Sequence, residues 1–171
     1  MTADARRAAI RETLSASTKP VSAAALARRF SVSRQIIVGD IALLRAAGAE
    51  IDATPRGYVM ARGGEGLRRT IACLHTAEQT GRELYAIVDN GCVALDVIVE
   101  HPIYGQLTGP LRLHSRYEVD RFLSRLGDDV PPLSALTGGI HLHTLLCPDE
   151  AAFRRVCAAL QEAGILLTEN P

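Results

Sequence analysis

Two histidines one residue apart, His141 and His143, lie in the stretch Gly138-Gly139-Ile140-His141-Leu142-His143-Thr144. The setting is apolar and β-branched and follows a glycine pair. On a strand, side chains at i and i+2 share one face. Their Cα atoms then stand roughly 6–7 Å apart, two strand rises. Two imidazoles at that spacing can converge on one ion, so His-x-His on a strand is a bidentate clamp. A half-buried strand with two ordinary hydrogen-bonded histidines has the same appearance. The rest of the chain must supply further ligands.

Two residues offer themselves. The run Leu67 to Thr80 reads as a helix with Ile71 and Leu74 inward, which puts His75 on it, and Gly81 ends it. Glu83 then opens the next, strand-like segment, where it can swing back toward His75. A lone helical histidine is more often a surface or satisfied core residue, and a lone glutamate a solvated carboxylate. Together with His141 and His143 they make three imidazoles and one carboxylate. That set suits a divalent first-row ion such as zinc, iron, nickel or manganese, and the spacing does not choose among them. Of the other two histidines, His101 ends a strand in a turn and reads as structural. His114 adjoins a helix N-terminus, where a cation is disfavoured, and receives no role.

The chain has 171 residues, enough for one large domain or two small ones. Its 47% hydrophobic and 22% charged content is that of a globular protein. The net charge of zero hides an asymmetry. Residues 1–62 hold ten Arg/Lys against five Asp/Glu, and residues 63–171 hold nine against fourteen. The first part is suited to meet a polyanion and the second is not. The four cysteines form no C-x-x-C pair and read as buried, reduced thiols of a cytoplasmic protein. No secretory signal and no apolar run near eighteen residues is visible.

The basic part reads as three helices and a hairpin. Asp4 to Ser15 carries the apolar pair Ile10 and Leu14. Ser22 caps Ala23 to Phe30, with Leu26 inward. Ser33 caps a third helix with Ile37, Ile41 and Leu44 in register, closed by Gly48 at C′. Ile51 to Ala53 and Tyr58 to Met60 flank Thr54-Pro55-Arg56-Gly57 as a hairpin. This is the build of a winged helix-turn-helix at residues 1–62, with the third helix in the DNA major groove. The outward positions are Ser33, Arg34, Gln35 and Val38. Arginine can pair with guanine and glutamine with adenine. Arg56 at the wing tip would hold phosphate or enter the minor groove, positioning more than reading. A solvated arginine-rich helical domain is the plainer alternative, but caps, lengths and charge all agree in one unit.

Arg62-Gly63-Gly64-Glu65-Gly66 is a glycine-rich joint. Beyond it, Glu83 to Val88 and Val93 to Glu100 read as strands joined through Asp89-Asn90-Gly91, a hairpin signal. Leu107 to Leu113 reads as a third strand. Ser115-x-x-Glu118 is a capping box that opens a helix through Leu126. A loop between Pro131-Pro132 and Gly138-Gly139 leads to the His-x-His strand. A helix from Pro148-Asp149 to Ala163 and a last strand at Gly164 to Leu167 follow. Residues 63–171 are thus expected to form an α+β domain with a mainly antiparallel sheet and helices on one side.

Longer motifs carry a resemblance. Leu26-Ala27-x-x-Phe30-x-Val32-Ser33-Arg34-Gln35-x-Ile37, Asp40-Ile41, Leu44-Arg45, Gly48 and Arg56-Gly57-Tyr58 resemble a widespread bacterial winged-helix pattern. Gly39 departs from it, since a polar or basic residue is usual there. His75, Glu83, Ile87-Val88-Asp89-x-Gly91, Asp96-Val97-x-Val99-x-His101-Pro102-x-Tyr104-Gly105 and Leu136-Thr137-x-Gly139-x-His141-Leu142-His143-Thr144 resemble the three-histidine domain. The two parts in this order are similar to niacin-responsive transcriptional repressors of Gram-positive and related bacteria.

That resemblance implies a dimeric repressor of NAD-synthesis or niacin-uptake genes, with nicotinic acid as co-repressor. It implies that His75, Glu83, His141 and His143 hold one transition metal ion, nickel, zinc or iron. The effector would sit near the metal, with its contact residues unassigned. Two other readings of the same residues stay open. One is a regulator for which the metal itself is the signal. The other is a metal-dependent enzyme, for which Glu150 or Asp89 could be offered as a base.

Overall fold

The computed structural model describes residues 1–60, 66–127 and 129–168. The joint expected at Arg62 to Gly66 lies outside these residues except for Gly66. Contacts divide the chain into two compact units, Met1–Gly63 and Gly64–Pro171.

In the first unit, α1 (Ala3–Ala16), α2 (Ala23–Phe30) and α3 (Arg34–Ala46) precede the hairpin β1 (Ile51–Thr54) and β2 (Gly57–Met60). Each helix starts on a hydroxyl: Thr2, Ser22 and Ser33 accept from Ala5, Ala25 and Ile36 amides. Helix α3 stops in a Schellman turn, with Ala49 N donating to Leu44 O and Gly48 N to Arg45 O. Ile10, Leu14, Leu26, Ile37, Ile41 and Ile51 form the core. Val21 adds a bridge to the hairpin through Tyr58. A side chain at Gly57 would collide with the Val21 backbone, so the wing depends on glycine there.

The second unit is an antiparallel four-stranded sheet in the order β3-β6-β4-β5. Its strands are β3 (Leu67–Leu74), β4 (Val93–His101), β5 (Gly105–Leu113) and β6 (Ile140–Cys147). Three helices accompany it, α4 (Thr80–Asp89), α5 (Arg116–Leu123) and α6 (Glu150–Glu162). Leu84 and Ile87 of α4, Val119 of α5 and Val156 and Leu160 of α6 meet Ile71, Cys73, Leu111, Leu113 and Leu145 of the sheet. The α+β class with a mainly antiparallel sheet is therefore found as expected. Among the described residues, no helix is long and apolar enough to cross a membrane.

Several element assignments change. Residues 67–74 are a strand, and His75 lies just past its end instead of on a helix. Ile71 and Cys73 are buried at period two, and pairing with β6 along its whole length outweighs the helical look of Leu67, Ile71 and Leu74. Residues 80–89 are a helix, not a strand, because Thr80, Glu83, Leu84 and Ile87 bury one helical face. Gly81 falls inside that helix. Asp89-Asn90-Gly91 is a helix end, not a hairpin: Cys92 N donates to Ile87 O and Gly91 N to Val88 O, with Gly91 at φ 81°. Gly164 to Leu167 makes only an isolated bridge, Leu166 to Cys73, outside any strand. The expected loop at 133–137 is a single 3₁₀ turn, Leu133–Thr137.

Candidate metal centre and nucleic-acid interface

On α3, Ser33, which caps this helix, and Arg34, Gln35 and Val38 on it are all exposed, and Val38 keeps half its surface. The Ser33 hydroxyl is occupied as the helix cap, 3.2 Å from Ile36 N. Ile36 is exposed beside them, a position absent from the expected set. Arg56 sits in the hairpin turn but is half-buried, with its amide donating to Thr54 Oγ1. Asp40 is buried and receives Arg6 Nε at 2.6 Å, which ties α1 to the third helix. Nothing fills the space beyond the Cα of Gly39, so this departure opens the exposed helix surface rather than answering a packing need.

The four expected ligands come together. His141 and His143 occupy alternate positions on β6 and point to the helix-covered face with Leu145 and Cys147. Glu83 projects from α4. His75 follows β3, which pairs with β6, and its amide donates to Gly139 O at 3.4 Å. A side chain at Gly139 would collide with the His75 carbonyl, so the second glycine before His-x-His is what lets His75 come close. Gly139 takes φ 97°, which favours glycine for the same position.

All four side chains are buried, at 6% exposure or less. Glu83 Oε2 lies 2.7 Å from His75 Nε2 and 3.2 Å from His143 Nε2, and its Oε1 lies 2.9 Å from His141 Nε2. Adjacent rings stand nearly perpendicular, at 88° and 87°. Each Nδ1 faces a backbone carbonyl: Thr76 O for His75 at 2.7 Å, Gly139 O for His141 at 2.8 Å, and Asp96 O for His143. Asp96 sits where β4 carries one residue more than β6 between two paired positions, a bulge. There its carboxylate also accepts from Thr144 N.

These carbonyls demand that each Nδ1 be the donor. Each Nε2 then turns a lone pair toward a carboxylate that has only lone pairs to offer. Three such encounters in a buried site require cations between them. His143 Nε2 makes no well-angled hydrogen bond even at 3.2 Å. Protons answer part of the demand. Burial disfavours charged imidazoles, yet Glu83 holds His75 and His143 above the ordinary histidine range. Burial would likewise raise Glu83, but the charge of His143 and hydrogen bonds from His141 and His75 hold it well below the carboxylate range. A single divalent ion answers the whole demand. Two atoms each roughly 2.0–2.2 Å from one ion lie about 3 Å apart, and each of the three separations between Glu83 and an imidazole, 2.7, 2.9 and 3.2 Å, is of that size. Nδ1 bonded to carbonyl with Nε2 presented is the usual second shell of a metal-binding histidine.

Cys73 joins the cluster, since its sulfur lies within 4.8 Å of ligand atoms of Glu83 and His141. It faces His141 across the β3–β6 ladder. Burial, followed by the Glu83 charge, pushes its thiol far up, so it is a neutral neighbour unless an ion draws it in. Sequence reasoning missed Cys73. With residues 67–74 read as a strand, Cys73-x-His75 would have shown the same i, i+2 spacing as His141-x-His143. Asp89 and Glu150 are elsewhere, paired with Arg116 and Arg69. His101 accepts from the Ile103 and Tyr104 amides in its turn.

A helix-turn-helix unit followed in one chain by an α+β domain with a buried His/Glu cluster is the build of a DNA-binding regulator. Residues 6–59 match a helix-turn-helix domain family, and residues 68–169 match the 3H domain family. Two curated relatives agree along nearly the whole length. The probable transcription repressor NiaR of Thermotoga maritima is 46% identical over 158 residues, 92% of this chain and 90% of the relative. The transcription repressor NadR of Bacillus subtilis is 44% identical over 161 residues, 91% of this chain and 89% of the relative. The chain belongs to this 3H-domain family of transcription repressors. Its relatives are named as repressors and not as enzymes, and its helix-turn-helix unit is the part that binds DNA.

Proposed function

We propose that the chain is a cytoplasmic, homodimeric, metal-containing repressor that shuts down NAD-synthesis or niacin-uptake genes when nicotinic acid is bound. His75, Glu83, His141 and His143 hold one divalent ion, nickel, zinc or iron. When bound, the ion would supply Lewis acidity toward a carboxylate or a pyridine nitrogen of the effector. One observation carries this reading: three imidazoles, each tied back through Nδ1, aim Nε2 at a single buried carboxylate. Arg34 and Gln35 read bases, while Ser33, Val38 and Arg56 fit the helix and wing to the groove. Two copies would engage half-sites about one helical turn, or a multiple of it, apart. The effector must favour the DNA-competent arrangement, or it shifts nothing.

A gel shift with the promoter fragment of a niacin-uptake or NAD-synthesis gene tests this, with and without chelator and nicotinic acid. The reading expects binding that needs both metal and acid. Binding that follows metal alone makes the ion the signal and removes nicotinic acid from the account.

A further inference from the structure

The sheet brings one further donor to the cluster. Cys73 precedes His75 by two residues on β3, and its side chain is buried with Ile71 on the helix-covered face. It stands opposite His141 in the β3–β6 register. The residue is 0% exposed, and its sulfur lies within 4.8 Å of ligand atoms of both Glu83 and His141. A sulfur at about 2.3 Å and a nitrogen or oxygen at about 2.1 Å from one ion stand at most about 4.4 Å apart. The thiol therefore has only a short way to move to share an ion with them. A second observation shows that the cluster is short of a partner. His143 Nε2 is buried, lies 3.2 Å from Glu83 and makes no hydrogen bond.

Charge decides what that sulfur is for. A divalent ion held by three neutral imidazoles and one carboxylate keeps one net positive charge, and burial penalises an uncompensated charge heavily. The Asp96 carboxylate is half-buried and already accepts from Thr144 N. Among the described residues, the group that could close around an ion holds two side chains able to carry negative charge, Glu83 and Cys73.

We propose that Cys73 binds the ion directly, as a thiolate, beside His75, Glu83, His141 and His143. The proposal rests on the reading of the cluster as an ion site. As the sulfur–metal bond forms, the S–H bond breaks and its proton leaves for solvent, with no change of oxidation state. The ion's two positive charges are then matched by one negative charge each from Glu83 and Cys73. The sulfur also sorts ions. A soft thiolate favours zinc or nickel, whereas manganese and magnesium prefer oxygen donors, so Cys73 widens the gap between the two groups.

The test strips the full chain with chelator, reloads it with nickel(II) or cobalt(II), and measures metal content with every spectrum. The loaded wild type should show a thiolate-to-metal charge-transfer band in the near ultraviolet. X-ray absorption should find one sulfur at about 2.3 Å from the ion. Cys73→Ala and Cys73→Ser should lose both signals, still take up the ion through the four remaining ligands, and bind it at least 10–100-fold more weakly. Their preference for zinc over manganese, read by competition, should narrow. A loaded wild type with no sulfur in the shell overturns this proposal and leaves the four-ligand site standing. So does a charge-transfer band that is the same in Cys73→Ala, or in Cys73→Ser should the alanine variant fail to fold. A wild type that takes up no ion overturns both.

Discussion

Replacing Glu83 by glutamine separates two physical accounts of the cluster. The carboxylate is 1% exposed and meets three Nε2 atoms within 3.2 Å. Were it simply the counter-charge of buried imidazolium groups, removing it would strand those charges at a cost of about 3–5 kcal/mol. At roughly 4–8 °C per kcal/mol for a unit near 100 residues, the melting temperature would fall by 12 °C or more. If the carboxylate is a metal ligand, the metal-free variant behaves differently. With the carboxylate gone, burial favours the neutral form of His75 and His143, and the glutamine amide donates to two of the three lone pairs. One conflict then remains in place of three, and stability should change by only about 1 kcal/mol. Metal reverses the comparison. An ion at 1,000 times its dissociation constant stabilises the wild type by about 4 kcal/mol. Loss of the carboxylate weakens binding at least 10–100-fold, which removes about 1.4–2.7 kcal/mol of that gain at the same metal concentration. Differential scanning calorimetry of both proteins, with chelator and with excess ion, reads all four values. A chelated Glu83→Gln protein that melts more than about 12 °C below wild type, with an equal metal-induced rise in both, would refute the ligand account.

Three further outcomes follow. Acidity should act with opposite sign on the two forms. In the metal-free protein the raised pKa values of His75 and His143 give stability that is complete below about pH 6.5 and is lost as pH rises through them. Metal binding needs both rings neutral, so the loaded form loses its ion and its added stability as pH falls through the same range; thermal scans from pH 6 to 8 should slope in opposite directions. Arg34→Ala should cost about 1–3 kcal/mol at one base pair and relax sequence preference there, and an unchanged footprint would contradict the placement of α3. Gly39→Ala should stabilise the helix-turn-helix unit by about 1 kcal/mol, because the site is helical and open, and a lower melting temperature would show a role for glycine that geometry does not reveal.

The legible parts of the chain were those governed by local chemistry. Ser22, Ser33 and Gly48 mark helix ends by hydrogen bonds made within a few residues, and the three helices of the first unit were readable from them. The His-x-His strand was readable because alternation needs no knowledge of partners. Residues 67–74 and 80–89 were exchanged in type because each is a short apolar run whose period is decided by what packs on it. Pairing with β6 fixes the first as a strand, and burial of Leu84 and Ile87 fixes the second as a helix. The resemblance still brought His75 and Glu83 into the ligand set, since it depends on their order in the chain and not on their elements. Cys73 was invisible for the opposite reason. It gains meaning only from the exchanged element, where it faces His141 across the ladder.

X-ray absorption at the edge of the bound metal, on protein reconstituted with a single ion, tests the central claim most directly. The account predicts three imidazole nitrogens and a carboxylate oxygen at roughly 2.0–2.2 Å, with the imidazole signal diminished in His75→Ala. An ion surrounded chiefly by water oxygens, or one whose shell is unaltered by His75→Ala, would contradict it.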